Sequence, residues 1–287
     1  MLSNDKPATS ISALRYESEF IDYLDQRRGK ILSRTGGWFP GKGVFSHGYS
    51  MLEELVGSKS YFQVLILNAT GRLVERPLAD WLEAAFTCLS WPDPRIWCNQ
   101  IGALAGSVRT SVTAATVMGA LAADSRIYGS FTILGGMEFI QDAMQKARSG
   151  LTAAEIVSSM QPQRGGKPLI LGYFRPIAKG DERIPAMERV GRELGFAVGE
   201  HLQLAYQIEE VLRNNYDEGM NINGYASAFL SDQGFSPQQA YQMISMLVAS
   251  GVTACCVDSL QRPADTFLPL RCNDIEYKGE PLRPVPD

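Results

Sequence analysis

The feature that most constrains this chain is its punctuation. Helix starts and stops recur along it, and stretches of alternating apolar and polar residues are nearly absent. Ser50-Met-Leu-Glu53 has the spacing of a capping box, in which the serine oxygen takes an N–H three residues on and the glutamate reaches back. The short helix it opens is expected to stop at Gly57. A second apolar run, Y-F-Q-V-L-I-L-N-A-T, follows and is expected to stop at Gly71. Pro77 stands where a first helical turn tolerates a missing N–H, opening L-A-D-W-L-E-A-A-F-T-C-L. Thr152-Ala-Ala-Glu155 repeats the box, and Ser236-Pro237 caps a run expected to end at Gly251. In H-L-Q-L-A-Y-Q-I-E-E-V-L, residues 201, 204, 205 and 208 share one helical face. The fold class predicted is mostly α.

Two regions break this rhythm. Pro162 to Arg183 is rich in Gly, Pro and cations, and Asn214 to Gly224 reads N-N-Y-D-E-G-M-N-I-N-G. Residues 1–34 read as a polar N-terminal tether.

The net charge of −4 comes without a basic block, so no general nucleic-acid footprint is present and any cationic site must be local. The start, M-L-S-N-D-K-P-A-T-S, lacks the apolar core of a secretory signal. Ile101 to Ala123 is the most membrane-like stretch. It carries Arg109 and many hydroxyls, and its small residues suit helices packed closely in a soluble core, so no membrane span is expected. Cysteines 88, 98, 255, 256 and 272 form no C-x-x-C pair, which points to reduced thiols in a cytoplasm.

With two histidines and no cysteine spacing, no metal site is expected. His201 lies on an apolar helix face and reads as a core or interface residue. His47, in F-S-H-G-Y-S, precedes a turn and is a candidate ligand contact. G-G-K at 165–167 lacks the spacing of a phosphate-cradling loop.

The most specific segment is L-G-Y-F-R-P-I-A-K-G-D-E-R, Leu171 to Arg183. Arg175, Lys179 and Arg183 are spaced by four among turn formers. One reading is a clamp for carboxylate or phosphate, since the planar guanidinium grips such groups two-pronged. The other is a solvated basic loop before a helix, neutralised by Asp181 and Glu182. Spacing alone does not choose between them.

Five blocks in order resemble the citrate synthase superfamily. H-G-Y-S-M-L-E-E-L-V-G-S-K-S-Y-F-Q-V-L-I-L-N-A-T-G-R-L is similar to its first signature. Y-G-S-F-T-I-L-G-G-M-E-F, Tyr128 to Phe139, resembles G-P-x-H-G-G-A-N, and Leu171 to Arg183 resembles G-F-G-H-P-V-Y-K-x-G-D-P-R. Met220 to Gly234 resembles N-V-D-G and its helix, and the tail E-Y-K-G-E-P-L-R-P-V-P resembles the closing Y-x-G-x-x-x-R-x-h-x-P. The resemblance covers residue 35 to the end, and the G-G-M-E and N-I-N-G forms lean towards the compact citryl-CoA lyase branch, including the lyase module of ATP-citrate lyase.

The resemblance implies a large helical domain of 35–136 with 235–287, a smaller domain of 137–234, and a cleft between them. It also implies a homodimer built on apolar helices. Its chemistry removes a methyl proton from an acyl-CoA with a carboxylate, while histidines donate to the thioester and to the acceptor ketone. Here the base position is Asn223, an amide that cannot take the proton at neutral pH. The H-P histidine position is Arg175, a poor proton shuttle, and the position before G-G is Leu134. A further substrate arginine is Val248, and the expected A-H-x-x-E reads Ala254-Cys255-Cys256-Val257-Asp258.

Binding groups persist better in the resemblance. Arg183 matches a substrate-carboxylate arginine, Lys179 a basic residue near the coenzyme A phosphates, and Arg271 an arginine reaching the partner subunit's site. Arg175 is therefore read as a binder, with pairing to Asp181, Asp217 or Glu218 as the rival. The expected activity is carbon–carbon bond formation or cleavage on an acyl-CoA or related carboxylate, of acyltransferase or citryl-CoA lyase type. A recruited base is then required, with Asp217, Glu218, Asp258 and Cys255 unranked. Coenzyme A thioester would be substrate, with no tightly bound cofactor. The rival is a non-catalytic homologue that binds an anionic metabolite or pairs with an active paralogue. A third possibility is relocated hydrolase or lyase chemistry on Cys255-Cys256.

Overall fold

A computed structural model describes residues 18–160, 166–175 and 180–285. Contacts divide the chain into a first unit ending at Lys59 and a second running from Ser60.

The first unit holds α1 (Ser18–Asp25) and a small antiparallel sheet, β1 (Gly36–Phe39), β2 (Gly43–Ser46) and β3 (Tyr49–Ser50). Ser46 pairs with Tyr49, so His47 and Gly48 are the two turn residues. Their φ values of 49° and 87° are what a tight primed hairpin turn requires, and glycine adopts the second freely. These strands were not foreseen: they are short and mostly exposed, so they leave no alternating trace. The next turn, Met51–Leu55, winds as a π segment, with Val56 N–H donating to the Met51 carbonyl at 2.9 Å. Ser50 caps it as expected, but Glu54, rather than Glu53, reaches back to the Ser50 N–H at 2.6 Å.

The second unit is helical, with α2 (Tyr61–Thr70), α3 (Arg76–Leu89), α4 (Trp97–Ser107), α5 (Val112–Ala123), α6 (Thr132–Arg148) and α7 (Ala153–Ser158) in its first half. Then come α8 (Arg183–Glu193), α9 (Glu200–Tyr216), α10 (Ile222–Asp232), α11 (Pro237–Ile244) and α12 (Ala249–Leu260). The boxes at Thr152 and Ser236 are formed, Gly71 closes α2 in the left-handed region, and Leu204, Ala205 and Ile208 are buried on α9.

The run after Ser236 does not continue to Gly251. It breaks at 245–248, and Gly251 lies inside α12, where a Cβ would come within 2.7 Å of the Trp91 carbonyl oxygen. That glycine permits close approach and stops nothing.

Two cores result. The larger gathers α2, α3 and α6 to α11 around Trp81, whose ring stacks on Phe229 with centroids 4.0 Å apart. Truncating a buried aromatic of this kind to alanine costs about 3–5 kcal/mol. The smaller layer packs α4, α5 and α12 through small residues: Gly102 and Gly119 lie on Val252, and Gly106 on Cys256. This is the close packing expected of residues 101–123. Arg109, at φ 64°, turns back to donate to the carbonyls of Leu260 at 2.7 Å and Arg262 at 2.6 Å. It thereby satisfies orphan acceptors at the end of α12, which is why a cation stands in so apolar a run. Pro237–Leu260 is apolar enough in composition to cross a membrane, but it is split by the break between α11 and α12.

Candidate anion-binding site

Three of the five blocks converge at the start of α10. Gly172 and Gly224 meet backbone to backbone: a Cβ on Gly172 would stand 2.7 Å from the Gly224 Cα. Gly172 also holds φ 100°, so its side-chain-free backbone is required twice over. Asn221 ties the junction. Its N–H donates to the Gly172 carbonyl at 2.8 Å and its Nδ2 to the Phe174 carbonyl at 2.7 Å. Its Oδ1 accepts from the N–H groups of Asn223 and Gly224, capping α10. Asn223, in the first turn, donates from Nδ2 to the Thr132 carbonyl at the head of α6, 3.2 Å away. Gly136 leaves room beside it, since a Cβ there would lie 2.9 Å from Asn223 Nδ2 and 2.5 Å from Ser227 Oγ.

The cations join through Asp181. Its side chain is 0% exposed, and Oδ2 accepts from the Ile222 N–H at 2.9 Å. Arg183 grips it two-pronged, Nε to Oδ1 at 2.7 Å and Nη2 to Oδ2 at 2.6 Å. Burial pulls the Asp181 carboxyl upward, but the Arg183 hydrogen bonds and charge, with the backbone donors, bring it below its ordinary value. Arg175 forms a second fork. Nη1 and Nη2 donate to the two Glu182 oxygens, the latter at 3.0 Å, and Nη1 also donates to the Gly180 carbonyl at 3.3 Å. Nη1 lies 3.8 Å from Asp181 Oδ1. The Arg175 hydrogen bond holds Glu182 at about 2, well below the usual carboxylate range.

Arg175, Arg183 and Asn223 are therefore neighbours, linked by Asp181 and by Ile222. The two guanidinium side chains are 13% and 19% exposed, so neither points into bulk water. The solvated-loop reading fails on that burial. The pairing reading holds in a form not foreseen: Arg175 takes Glu182 as its two-pronged partner, with Asp181 further off. Lys179 lies outside the described residues. His47 belongs to the first unit, where its Nε2 is buried without a hydrogen-bond partner among the described residues. Arg271 is exposed on a 3-10 turn, where its backbone N–H donates to Asp274 at 2.8 Å.

Two of the acids considered as a recruited base are in ion pairs. Glu218 pairs with Lys167 at 2.9 Å, Asp258 with Arg262 at 2.5 Å, and Asp217 terminates α9 at φ 58°. Burial pushes the Cys255 and Cys256 thiols upward, against a nucleophilic role. His201 pairs through Nδ1 with Asp232 at 2.9 Å, while that carboxylate accepts from two N–H groups at the start of α9.

Glu182, expected with Asp181 to neutralise the segment, does so as a fork partner of Arg175, while Cys88 beside the cluster was missed. Burial pushes the Cys88 thiol up, while Arg183 opposes the shift. Among the described residues no group of three metal-ligating side chains occurs. A groove of about 320 Å³ lined by Met144, Arg148, Glu200 and Gln207 shares no residue with the cluster.

The mostly helical fold is citrate synthase-like, as its likeness to solved structures shows. No protein-family model matches the chain, and no curated protein matches it by sequence. Among solved structures it is similar to citryl-CoA lyase from Hydrogenobacter thermophilus, with TM-score 0.75 and 22% identity over 89% of this chain and 97% of that one. ATP citrate lyase from Methanothrix soehngenii, solved with citrate and coenzyme A, matches with TM-score 0.71 and 16% identity over 98% of this chain. This chain spans 47% of that longer one. Citrate synthase from Thermotoga maritima matches with TM-score 0.59 and 18% identity over 79% of this chain and 60% of its own. Within the fold, the likeness in size is to the compact lyase.

Proposed function

We propose that this protein is a citrate synthase-like enzyme of divergent active site. It acts on an acyl-CoA or related carboxylate by carbon–carbon bond cleavage or formation, and citryl-CoA is the first substrate to test. One observation carries the reading: two largely enclosed arginines, with side chains 13% and 19% exposed, stand beside the α10 turn that presents Asn223. In this reading Arg175 grips a substrate carboxylate, Arg183 borders it from its fixed place on Asp181, and Arg175 offers a fixed positive charge to an enolate-like oxygen. Asn223 orients that oxygen through its amide and takes no proton, so the proton passes to a recruited carboxylate, with Asp217, Glu218 and Asp258 as the candidates. Lys179 serves the coenzyme A phosphates and His47 is a ligand contact of the first unit. Coenzyme A thioester comes and goes as substrate, with no tightly bound cofactor.

The proposed domains are 137–234 as the smaller and 35–136 with 235–287 as the larger. A homodimer is supported by α5, which carries apolar residues on every side, and by Leu104, Val117 and Leu121, which are exposed on α4 and α5. Arg271 would then act towards the second copy. Leu121→Glu should halve the mass seen by sedimentation while leaving the helical spectrum unchanged. The described cysteines are free thiols, which supports a cytoplasmic setting.

The test is to incubate the pure protein with citryl-CoA, following 2-oxo acid release, and with short acyl-CoAs plus 2-oxo acids, following thiol release and methyl-proton exchange. Turnover supports the enzyme. Silence across the panel favours the second reading, a non-catalytic metabolite binder. That reading draws on the engagement of Asn223 with the Thr132 carbonyl and of Arg175 with Glu182. Activity that arises only in Asn223→Asp with Arg175→His would establish it.

A further inference from the structure

The two forks differ in what would happen if the carboxylate left. Asp181 is enclosed and also holds the Ile222 N–H, so its departure would strand a backbone donor as well as Arg183. Glu182 is 58% exposed and precedes α8 without a side-chain cap bond to that helix. Swinging away would return it to solvent at little cost. Arg175 would keep the Gly180 carbonyl and the nearby Asp181 charge, and so stay aimed.

We propose that Glu182 is a built-in occupant of the ligand-carboxylate subsite: it holds the Arg175 guanidinium two-pronged and is displaced by a carboxylate of the ligand. The inference deepens the proposed function and rests on its assignment of this cluster as an anion site. Three observations carry it. The partner of a largely enclosed cation is an exposed surface acid, both Glu182 oxygens are engaged as a ligand carboxylate would be, and the neighbouring Asp181 fork supplies an enclosed frame. Glu182 thereby sets a threshold. Ligands with a single weakly held carboxylate fail to displace it, and those that also engage other cationic groups of the site succeed.

The experiment titrates citrate, and separately inorganic phosphate, into wild type, Glu182→Gln, and Glu182→Gln with Arg175→Ala, at low salt and neutral pH. Loss of the competing carboxylate should tighten citrate binding by about 10-fold, as expected for one charge-assisted pair. The double variant should lose that gain. Glu182→Asp, one methylene shorter, should show a smaller gain and guards against a folding failure of the amide variant. Citrate binding by wild type that Glu182→Gln leaves unchanged or weakens overturns the displacement and leaves the proposed function standing. Absence of citrate and citryl-CoA binding in wild type, with phosphate gained by Glu182→Gln in an Arg175-dependent way, upholds the displacement and removes the proposed substrate class. Failure of every variant to bind either anion overturns both.

Discussion

Asp181–Arg183 and Glu182–Arg175 are adjacent in sequence, alike in chemistry and unlike in setting. The acid of the first is enclosed and tied to the backbone of α10; the acid of the second is exposed, and the two cations are alike in being largely enclosed. Enclosing the acid makes a fork part of the scaffold, because either partner left alone is an uncompensated charge. Leaving the acid in solvent makes the anion exchangeable. The neighbouring acids 181 and 182 thus supply the frame and the opening, and the comparison can be broken by single substitutions.

The largest effect is expected from Asp181→Asn. It strands Arg183 and weakens the bond to the Ile222 N–H, and should cost about 3–5 kcal/mol in chemical denaturation, as breaking a buried pair does. A loss below about 1 kcal/mol, the range of surface pairs, would make the two forks equivalent and undo the comparison. Asn221→Ala comes next. Removing the α10 cap should cost about 1–2 kcal/mol, and it should weaken ligand binding as well, because the cap also ties α10 to the loop before Arg175. Stability lost with binding intact would separate the cap from the site.

Glu182→Gln is the smallest in stability, below about 1 kcal/mol for so exposed a partner, which is what distinguishes it from Asp181→Asn. Its signature is in pH. The Glu182 carboxyl is held at about 2 in the folded chain, below its ordinary value, so its contribution is complete above the ordinary carboxylate range and lost as pH falls towards 2. The Gln variant should therefore lie below wild type by that small loss at neutral pH, run flatter over the acid window, and converge with wild type as pH falls towards 2. A parallel pair of curves would contradict the fork.

Much of the helical frame was legible because capping is local chemistry. Thr152 with Glu155, Ser236 before Pro237, and Gly71 after α2 each declare a boundary within a few residues. Ser50 was read one residue out on its acidic partner, since the π winding of Met51–Leu55 brings Glu54 back over the cap. Gly251 was misread because a glycine that ends a helix and one that admits a neighbour's backbone look alike in sequence. The β1–β3 sheet left little signal beyond its glycines and the H-G turn.

At the site, the family-like blocks identified Arg175, Arg183 and Asn223, and the structure gathers them. What sequence could not assign was which acid meets which arginine. That depends on the left-handed turn at Gly180, φ 72°, and on the helical backbone of Glu182 that follows. Glu182 itself was visible as the departure from D-P-R, but its consequence was not.

The central claim, that these arginines form a working anion site, is tested most directly by citryl-CoA cleavage in wild type beside Arg175→Gln, with folding checked by thermal melting. The account predicts release of the 2-oxo acid product by wild type, with the thioester retained on the acyl-CoA product, and a loss of about 10²-fold or more in the variant, the scale of removing one preorganised transition-state donor. Equal rates in the two folded proteins would contradict it.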